Sequence, residues 1–215
     1  MDAPLSFTHR FEPALRAGLR PLLLLHGTGG NEDDLLPLGR MVAPDAALLS
    51  PRGKVLEGGM LRFFRRVRAG VFDEDDVRRN ADDLADFVER ACEAYDIAAP
   101  IALGYSNGAN VAAAVLLLRA SVLAGAVLLR ATLPLSQPPR PELDGKSVLI
   151  LSGATDPLMS PDGAARLAAA LTEAGANVTH RTLPVGHELS QADVSLARKW
   201  LDEQSGGARL RPDPG

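Results

Sequence analysis

The sequence is poor in cysteine, in aromatic side chains and in long apolar runs. Cys92 is the single cysteine of 215 residues, which excludes an internal disulfide and a cysteine-based metal site. A formal net charge of −4 gives no sign of the basic surface that binds nucleic acid. No apolar run approaches the roughly 20 residues that span a bilayer, and residues 1–5 lack the basic stretch that opens a secretory signal. We therefore expect a cytoplasmic protein with no nucleic-acid partner and no membrane partner.

The length and composition indicate one folded domain. With 215 residues, 46% of them hydrophobic, the chain can bury one sizeable core but not two domains and a linker. The residues from Gln204 onward are rich in glycine, proline and arginine, a composition common at frayed chain ends. We predict a single domain over residues 1–203 and a flexible C-terminal tail over residues 204–215.

Short apolar runs that stop at glycine, proline or polar residues are typical of buried parallel strands. Residues 178–183 alternate apolar with polar and predict a strand nearer the sheet edge, while the alternation over residues 6–11 predicts an antiparallel strand. The unbroken apolar runs cover residues 22–25, 46–49, 101–104, 126–129 and 148–151.

Helical patterns separate these strands. Apolar residues recur every three or four positions over residues 76–95, and acidic side chains at 73–76 suit the N-terminus of that helix. Ser160 opens a helix that Gly175 stops, and further polar residues near position 190 suit a capping box for the last helix. Strands that alternate with helices predict a three-layer α/β fold, with a mostly parallel sheet flanked by helices. Ligands of such sheets bind outside the carboxyl ends of the strands.

The strand at 101–104 runs into a G-x-S-x-G turn centred on Ser106, and an apolar helix follows over residues 109–118. In a nucleophile elbow, this order of strand, tight turn and helix lifts the serine hydroxyl out of the sheet. The alternative is an ordinary serine in a glycine-rich turn, but the flanking strand and helix favour the elbow. We predict that Ser106 is the catalytic nucleophile.

A serine nucleophile needs a general base and an acid that orients the base. In the α/β-hydrolase chain order, an acidic residue and then a histidine follow the serine, each after a later strand. Asp156 lies in the loop after the fifth buried strand, and His187 lies in the loop after the predicted edge strand. We predict that these two residues complete the triad. Neither His9, in the N-terminal segment, nor His180, in the middle of a predicted strand, lies where the catalytic base is expected. His26 follows the first buried strand, and we expect it to have a structural role in the glycine-rich turn.

The glycine-rich turn at residues 26–30 follows the first buried strand. In this fold a loop at that place supplies one oxyanion amide, and the residue after the nucleophile supplies the other. We therefore predict an oxyanion hole built from the backbone N–H groups of Thr28 and Asn107. The rival interpretation is a phosphate-binding loop, but Glu32 stands where the last glycine of a dinucleotide motif would be, and no G-K-[ST] follows.

Motifs that carry a family resemblance are spread over nearly the whole chain. They are LLHGTGG (24–30), SPRG (50–53), GMLRFFRR (59–66), GYSNGAN (104–110), DP (156–157) and GHE (186–188). On these motifs the chain resembles the phospholipase/carboxylesterase family of α/β-hydrolases, which includes the acyl-protein thioesterases, and above all its bacterial carboxylesterase branch. The resemblance implies an α/β-hydrolase fold with no large lid domain and ester or thioester substrates. It is compatible with a homodimer, for which the sequence carries no interface signal. Arg130 and Ala131 depart from the histidine or small residues expected there.

These observations predict a serine carboxylesterase that cleaves esters of small or medium acyl or aromatic groups through an acyl-enzyme intermediate. The chemistry calls for no metal and no cofactor, and the expected partner is a small-molecule ester. An acyl-thioesterase or a lysophospholipase would use the same triad. A non-catalytic ligand-binding protein on the same scaffold is the alternative from another class, but such a protein is expected to have lost part of the triad.

The longest connection without a clear period covers residues 51–71 and follows the second buried strand. Long irregular loops in compact domains are usually functional or disordered, and the apolar residues of this one disfavour disorder. In the resemblance, its GGMxRFF segment matches a family stretch whose aromatic residues approach the active site. We therefore predict that Phe63 or Phe64 packs against the acyl or aromatic part of the substrate. Arg62 and Arg65 are predicted to hold the loop or to meet a polar end of the substrate. The alternative places both phenylalanines in the core.

Overall fold

Strands and helices alternate along the computed structural model, which describes residues 5–68 and 71–207. The strands are β1 (His9–Glu12), β2 (Leu22–Leu25), β3 (Leu48–Pro51), β4 (Val55–Glu57), β5 (Met60–Arg62), β6 (Arg66–Arg68), β7 (Val71–Phe72), β8 (Ile101–Tyr105), β9 (Gly125–Leu129), β10 (Ser147–Gly153) and β11 (Asn177–Leu183). The helices are α1 (Leu36–Val42), α2 (Glu74–Tyr95), α3 (Asn107–Leu118), α4 (Pro161–Glu173) and α5 (Gln191–Gly207).

The main sheet has the strand order β1-β3-β2-β8-β9-β10-β11. The strand β1 pairs with β3 in the antiparallel sense, and the remaining neighbours pair in parallel. The predicted antiparallel first strand, the edge strand β11 and the mostly parallel sheet flanked by helices are therefore confirmed. Because the parallel strands run in one direction, their carboxyl ends meet at the same edge of the sheet.

Both faces of the sheet are buried, which explains why its strands read as unbroken apolar runs. Leu23 and Leu25 point into one core with apolar residues of α2, α3 and α4. Leu22 and Leu24 point into a second core with residues of α1 and α5. Within the described ranges, no helix combines the length and the apolarity that crossing a membrane would require.

The third strand and the last helix differ from their predicted positions. The third strand lies two residues later than the predicted 46–49, because Ser50 is buried and pairs with Arg10 of β1 although it is polar. The last helix extends to Gly207, so residues 204–207 of the predicted tail are helical. The remaining tail, 208–215, lies outside the described residues.

The connection after β3 holds two short hairpins, β4 with β5 and β6 with β7. The first turns at Gly58 and Gly59, which both have positive φ values, 59° and 80°, that favour glycine. Asp76 at the start of α2 is buried and accepts a hydrogen bond from the N–H of Arg65 at 2.8 Å. This contact fixes the segment between the two hairpins against the main domain.

Candidate active site

Ser106 lies in a sharp turn between the carboxyl end of β8 and the start of α3. Its backbone angles, φ 53° and ψ −114°, are unusual for a residue with a side chain. A Cβ atom on Gly104 would lie 2.6 Å from the carbonyl oxygen of Gly108, and one on Gly108 would lie 2.0 Å from that of Leu25. Only glycine at both positions lets α3 approach the sheet this closely, and the approach holds Ser106 at the strand-end edge.

His187 lies between Ser106 and Asp156. Its Nε2 is 3.0 Å from Ser106 Oγ, and its Nδ1 is 2.8 Å from Asp156 Oδ2. Asp156 follows β10 and His187 follows β11, so three different strand ends bring these residues together. The structure thus assembles the predicted nucleophile, base and acid in the order that the triad chemistry requires.

The second carboxylate oxygen of Asp156 is also occupied. Oδ1 accepts hydrogen bonds from the backbone N–H groups of Leu158, at 2.8 Å, and Met159, at 2.9 Å. An ionised carboxylate accepts hydrogen bonds and donates none. The surroundings of Asp156 therefore suit the charged acid, with one oxygen held by the backbone and the other turned to His187.

His26 supports the glycine-rich turn beside the nucleophile. The N–H of Gly53 donates to His26 Nε2 at 2.9 Å, so the ring nitrogen that can donate is Nδ1, which lies 2.7 Å from the carbonyl oxygen of Gly27. The ring is therefore neutral, and burial lowers its pKa. This geometry agrees with the structural role expected for His26.

Thr28 and Asn107, the predicted oxyanion residues, both line the cavity that contains Ser106 and His187. Asn107 is the first residue of α3, and the first N–H groups of a helix have no acceptor within it. The Asn107 side chain is engaged elsewhere, since its Oδ1 accepts the N–H of Phe63 at 2.7 Å. The N–H of Asn107 is therefore a donor that the helix itself does not use.

The residues predicted to contact substrate fall in two places. Arg62 lines the cavity and is buried, with its Nη1 2.9 Å from Glu57 and its Nε donating to the carbonyl oxygen of Phe64 at 3.2 Å. Burial lowers the pKa of its guanidinium. Phe63 and Phe64 are also buried, but they belong to the main core and are not among the cavity-lining residues. Phe63 packs against the His26 ring at 4.7 Å between centroids.

Further residues line the cavity, which has a volume of about 460 Å³. Arg66, Tyr105 and Asn110 add polar groups that were not predicted as site residues. The apolar part of the wall comes from Met60, Phe72, Pro157, Leu158 and Met159. Most of these residues lie in the two hairpins or directly after Asp156. They are therefore close in sequence to predicted site residues, and this closeness is the feature of the sequence that could have identified them.

Comparisons with known proteins agree with this architecture. A scan against family models found no match. The chain is 45% identical over 184 residues to "Putative hydrolase MhqD" of Bacillus subtilis (strain 168), a match that covers 85% of this chain and 92% of that protein. The crystal structure of the Bacillus cereus carboxylesterase is similar with a TM-score of 0.90 and 42% identity, over 92% of this chain and 94% of that one.

A carboxylesterase from Mesorhizobium loti is similar with a TM-score of 0.81 and 33% identity, over 85% of this chain and 88% of that one. These likenesses cover nearly the whole of each protein, and they agree with an α/β-hydrolase fold built on a mostly parallel sheet. The chain belongs to the phospholipase/carboxylesterase family of α/β-hydrolases.

Proposed function

We propose that the protein is a carboxylesterase in which Ser106, His187 and Asp156 carry the reaction. The observation that supports this most directly is the pair of hydrogen-bond distances that connect Ser106 to His187 and His187 to Asp156, 3.0 Å and 2.8 Å. A ligand-binding protein on the same scaffold would have no need for this alignment. Relatives named carboxylesterases, at 42% and 33% identity, support the same function.

In the proposed mechanism, Ser106 Oγ attacks the acyl carbon of the ester while His187 Nε2 takes the hydroxyl proton. The tetrahedral intermediate carries an oxyanion, which the N–H groups of Thr28 and Asn107 stabilise. Losing one such donor typically costs about 10²- to 10³-fold in rate. When the intermediate collapses, the alcohol leaves with the proton from His187, and the acyl group stays on Ser106. A water molecule then attacks the acyl-enzyme by the same steps and releases the acid.

The size and lining of the cavity favour ester substrates with small or medium acyl or aromatic groups. Its volume of about 460 Å³ lies in the range of ordinary small-molecule sites. The side chains of Met60, Phe72 and Met159 offer an apolar wall beside the nucleophile. A thioester or a lysophospholipid would meet the same catalytic groups, and no feature of the cavity favours either over a simple ester.

A screen of the purified protein tests the proposal. We expect hydrolysis of p-nitrophenyl esters of increasing acyl length, with lower kcat/KM for acyl-CoA and for lysophospholipid. Ser106→Ala should lose several orders of magnitude in rate, while Ser136→Ala, a change at an exposed serine, should behave as wild type. A fluorophosphonate should label Ser106. Retention of more than about a tenth of the wild-type rate by Ser106→Ala would contradict the assignment.

A further inference from the structure

Arg130 lies directly after β9, in the middle of the sheet, and its side chain is completely buried. Together with Ala131, it departs from what the family resemblance implies at this place. A buried guanidinium is costly unless every one of its donors is used and its charge is paired. We therefore expect Arg130 to be surrounded by hydrogen-bond acceptors and by an opposite charge that offset the cost of burying it.

The contacts of Arg130 use the whole guanidinium. Nη1 and Nη2 bind the two carboxylate oxygens of Asp193 at 2.8 and 2.9 Å. Nη1 also donates to the carbonyl oxygen of Leu151 in β10, at 3.2 Å. Nε donates to the carbonyl oxygen of Gly186, and Nη2 donates to that of Glu188, both at 2.9 Å. An arginine carries five N–H donors in a planar fork, and five contacts are made here.

The last two contacts lie on either side of His187. The loop after β11 therefore has its backbone held immediately before and immediately after the proposed base. The hydroxyl of Tyr105, the residue before the nucleophile, also donates to the carbonyl oxygen of His187 at 3.1 Å. Arg130 itself is not among the residues that line the cavity, so its direct contacts with the site are those it makes with this loop.

Asp193 anchors the guanidinium from the other side. It is 1% exposed and lies in the first turn of α5, where Oδ2 accepts both the N–H and the hydroxyl of Ser190 at 2.8 Å. Burial alone would raise the pKa of Asp193, but the hydrogen bonds from Arg130 and Ser190 together outweigh it, and the pKa lies below its ordinary value. The carboxylate thus stays charged and joins α5 to the His187 loop through Arg130.

We propose that Arg130, paired with Asp193, is a positioning residue that holds the His187 loop so that Nε2 stays within hydrogen-bond reach of Ser106. The inference rests on the proposed function of the triad and extends it to two residues outside the cavity. A loop that follows an edge strand would otherwise be one of the more mobile parts of such a site. A displacement of about 1 Å in a reacting group can cost on the order of 10²-fold in rate.

The test compares Arg130→Lys with a matched core variant, Leu84→Ala, at a temperature where both are folded. Lysine keeps the charge, but its single ammonium cannot reach both sides of His187. We expect Arg130→Lys to lower kcat for a p-nitrophenyl ester by roughly 10- to 100-fold with KM unchanged. Fluorophosphonate labelling of Ser106 should slow by a similar factor. Leu84 is buried in α2 away from the site, so its variant should lower the melting temperature and leave kcat unchanged.

A second variant, Asp193→Asn, keeps the shape of the anchor and removes its charge. It should lower kcat in the same direction, and it decides the question if Arg130→Lys does not fold. A kcat within about threefold of wild type in the folded variant would overturn the positioning role. Failure of the triad itself is distinguishable, because it would appear as activity that survives Ser106→Ala. In that case the proposed function fails, whatever the Arg130 variants do.

Discussion

Replacing Asp156 by asparagine changes one atom in the site, and the structure determines which way the new amide will face. Asp156 Oδ1 accepts two backbone N–H groups, from Leu158 and Met159, and an amide NH₂ cannot accept either of them. The amide oxygen must therefore take the place of Oδ1. The amide nitrogen then occupies the place of Oδ2, where it donates to His187 Nδ1.

This orientation reverses the tautomer of His187. With Nδ1 accepting a hydrogen bond, the ring proton lies on Nε2 and points at Ser106 Oγ, 3.0 Å away. A protonated Nε2 cannot take the proton of the serine, so the base is lost although every heavy atom stays near its place. The same kind of change in a serine protease triad lowers kcat by about 10⁴-fold, which corresponds to about 5.5 kcal/mol of transition-state stabilisation.

The assay is kcat for a p-nitrophenyl ester at neutral pH, with the melting temperature measured in parallel. We expect Asp156→Asn to lose about 10⁴-fold in kcat and to melt close to wild type, because its hydrogen-bonding partners are all retained. Asp162→Asn is the control, since Asp162 is exposed in the first turn of α4. If Asp156→Asn keeps more than about a tenth of wild-type kcat, Asp156 does not orient the base.

Other consequences are equally open to measurement. Gly108→Ala should unfold the protein or cost more than about 3 kcal/mol, because its Cβ would lie 2.0 Å from the carbonyl oxygen of Leu25; an unchanged melting temperature would contradict the close approach. The lowered pKa of buried His26 means that the unfolded chain binds more protons below about pH 6.5, so the free energy of unfolding should fall as the pH is lowered through that region. Urea denaturation should show a weaker pH dependence in His26→Gln. Phe63→Ala and Phe64→Ala should each cost about 3–5 kcal/mol in stability and leave the acyl-length profile of kcat/KM unchanged, whereas a changed profile would favour the predicted substrate contact.

That Ser106, Asp156 and His187 lie close together could be predicted because the parallel sheet brings their three loops to one edge. Ser106, Asp156 and His187 each follow a parallel strand, and parallel strands place their carboxyl ends at one edge. Strand order in the sheet then separates the three loops by one or a few strand spacings, which side chains can bridge. A polar residue that follows an apolar run in the sequence can therefore be identified as a candidate site residue.

The two hairpins between β3 and α2, and the direction of their side chains, could not be predicted from the sequence for two physical reasons. Its strands have two or three residues, too few to show a period of two, although Gly58 and Gly59 between short apolar runs were a readable turn signal. The direction of Phe63 and Phe64 depends on how the hairpins lie on the sheet. That packing involves the N–H of Phe63 and the side chain of Asn107, 44 positions apart in the chain, and no local pattern records it.

The contacts of Arg130 are even harder to predict from the sequence, because its acceptors at Gly186 and Glu188 lie more than fifty residues away in the chain. Glycines that allow close backbone approach explain why the positions of Ser106, Asp156 and His187 could nevertheless be predicted from the sequence. A Cβ on Gly153, at the end of β10, would lie 2.3 Å from the carbonyl oxygen of Gly186, so the acid loop and the base loop are in backbone contact, as the nucleophile turn is with β2 through Gly108. Backbone contacts of this kind bring the loops of Ser106, Asp156 and His187 next to one another, and they do not involve the side chains that line the cavity. Glycines at these close approaches therefore mark where the three loops meet, whereas the cavity wall comes from side chains of the hairpins and of the residues after Asp156.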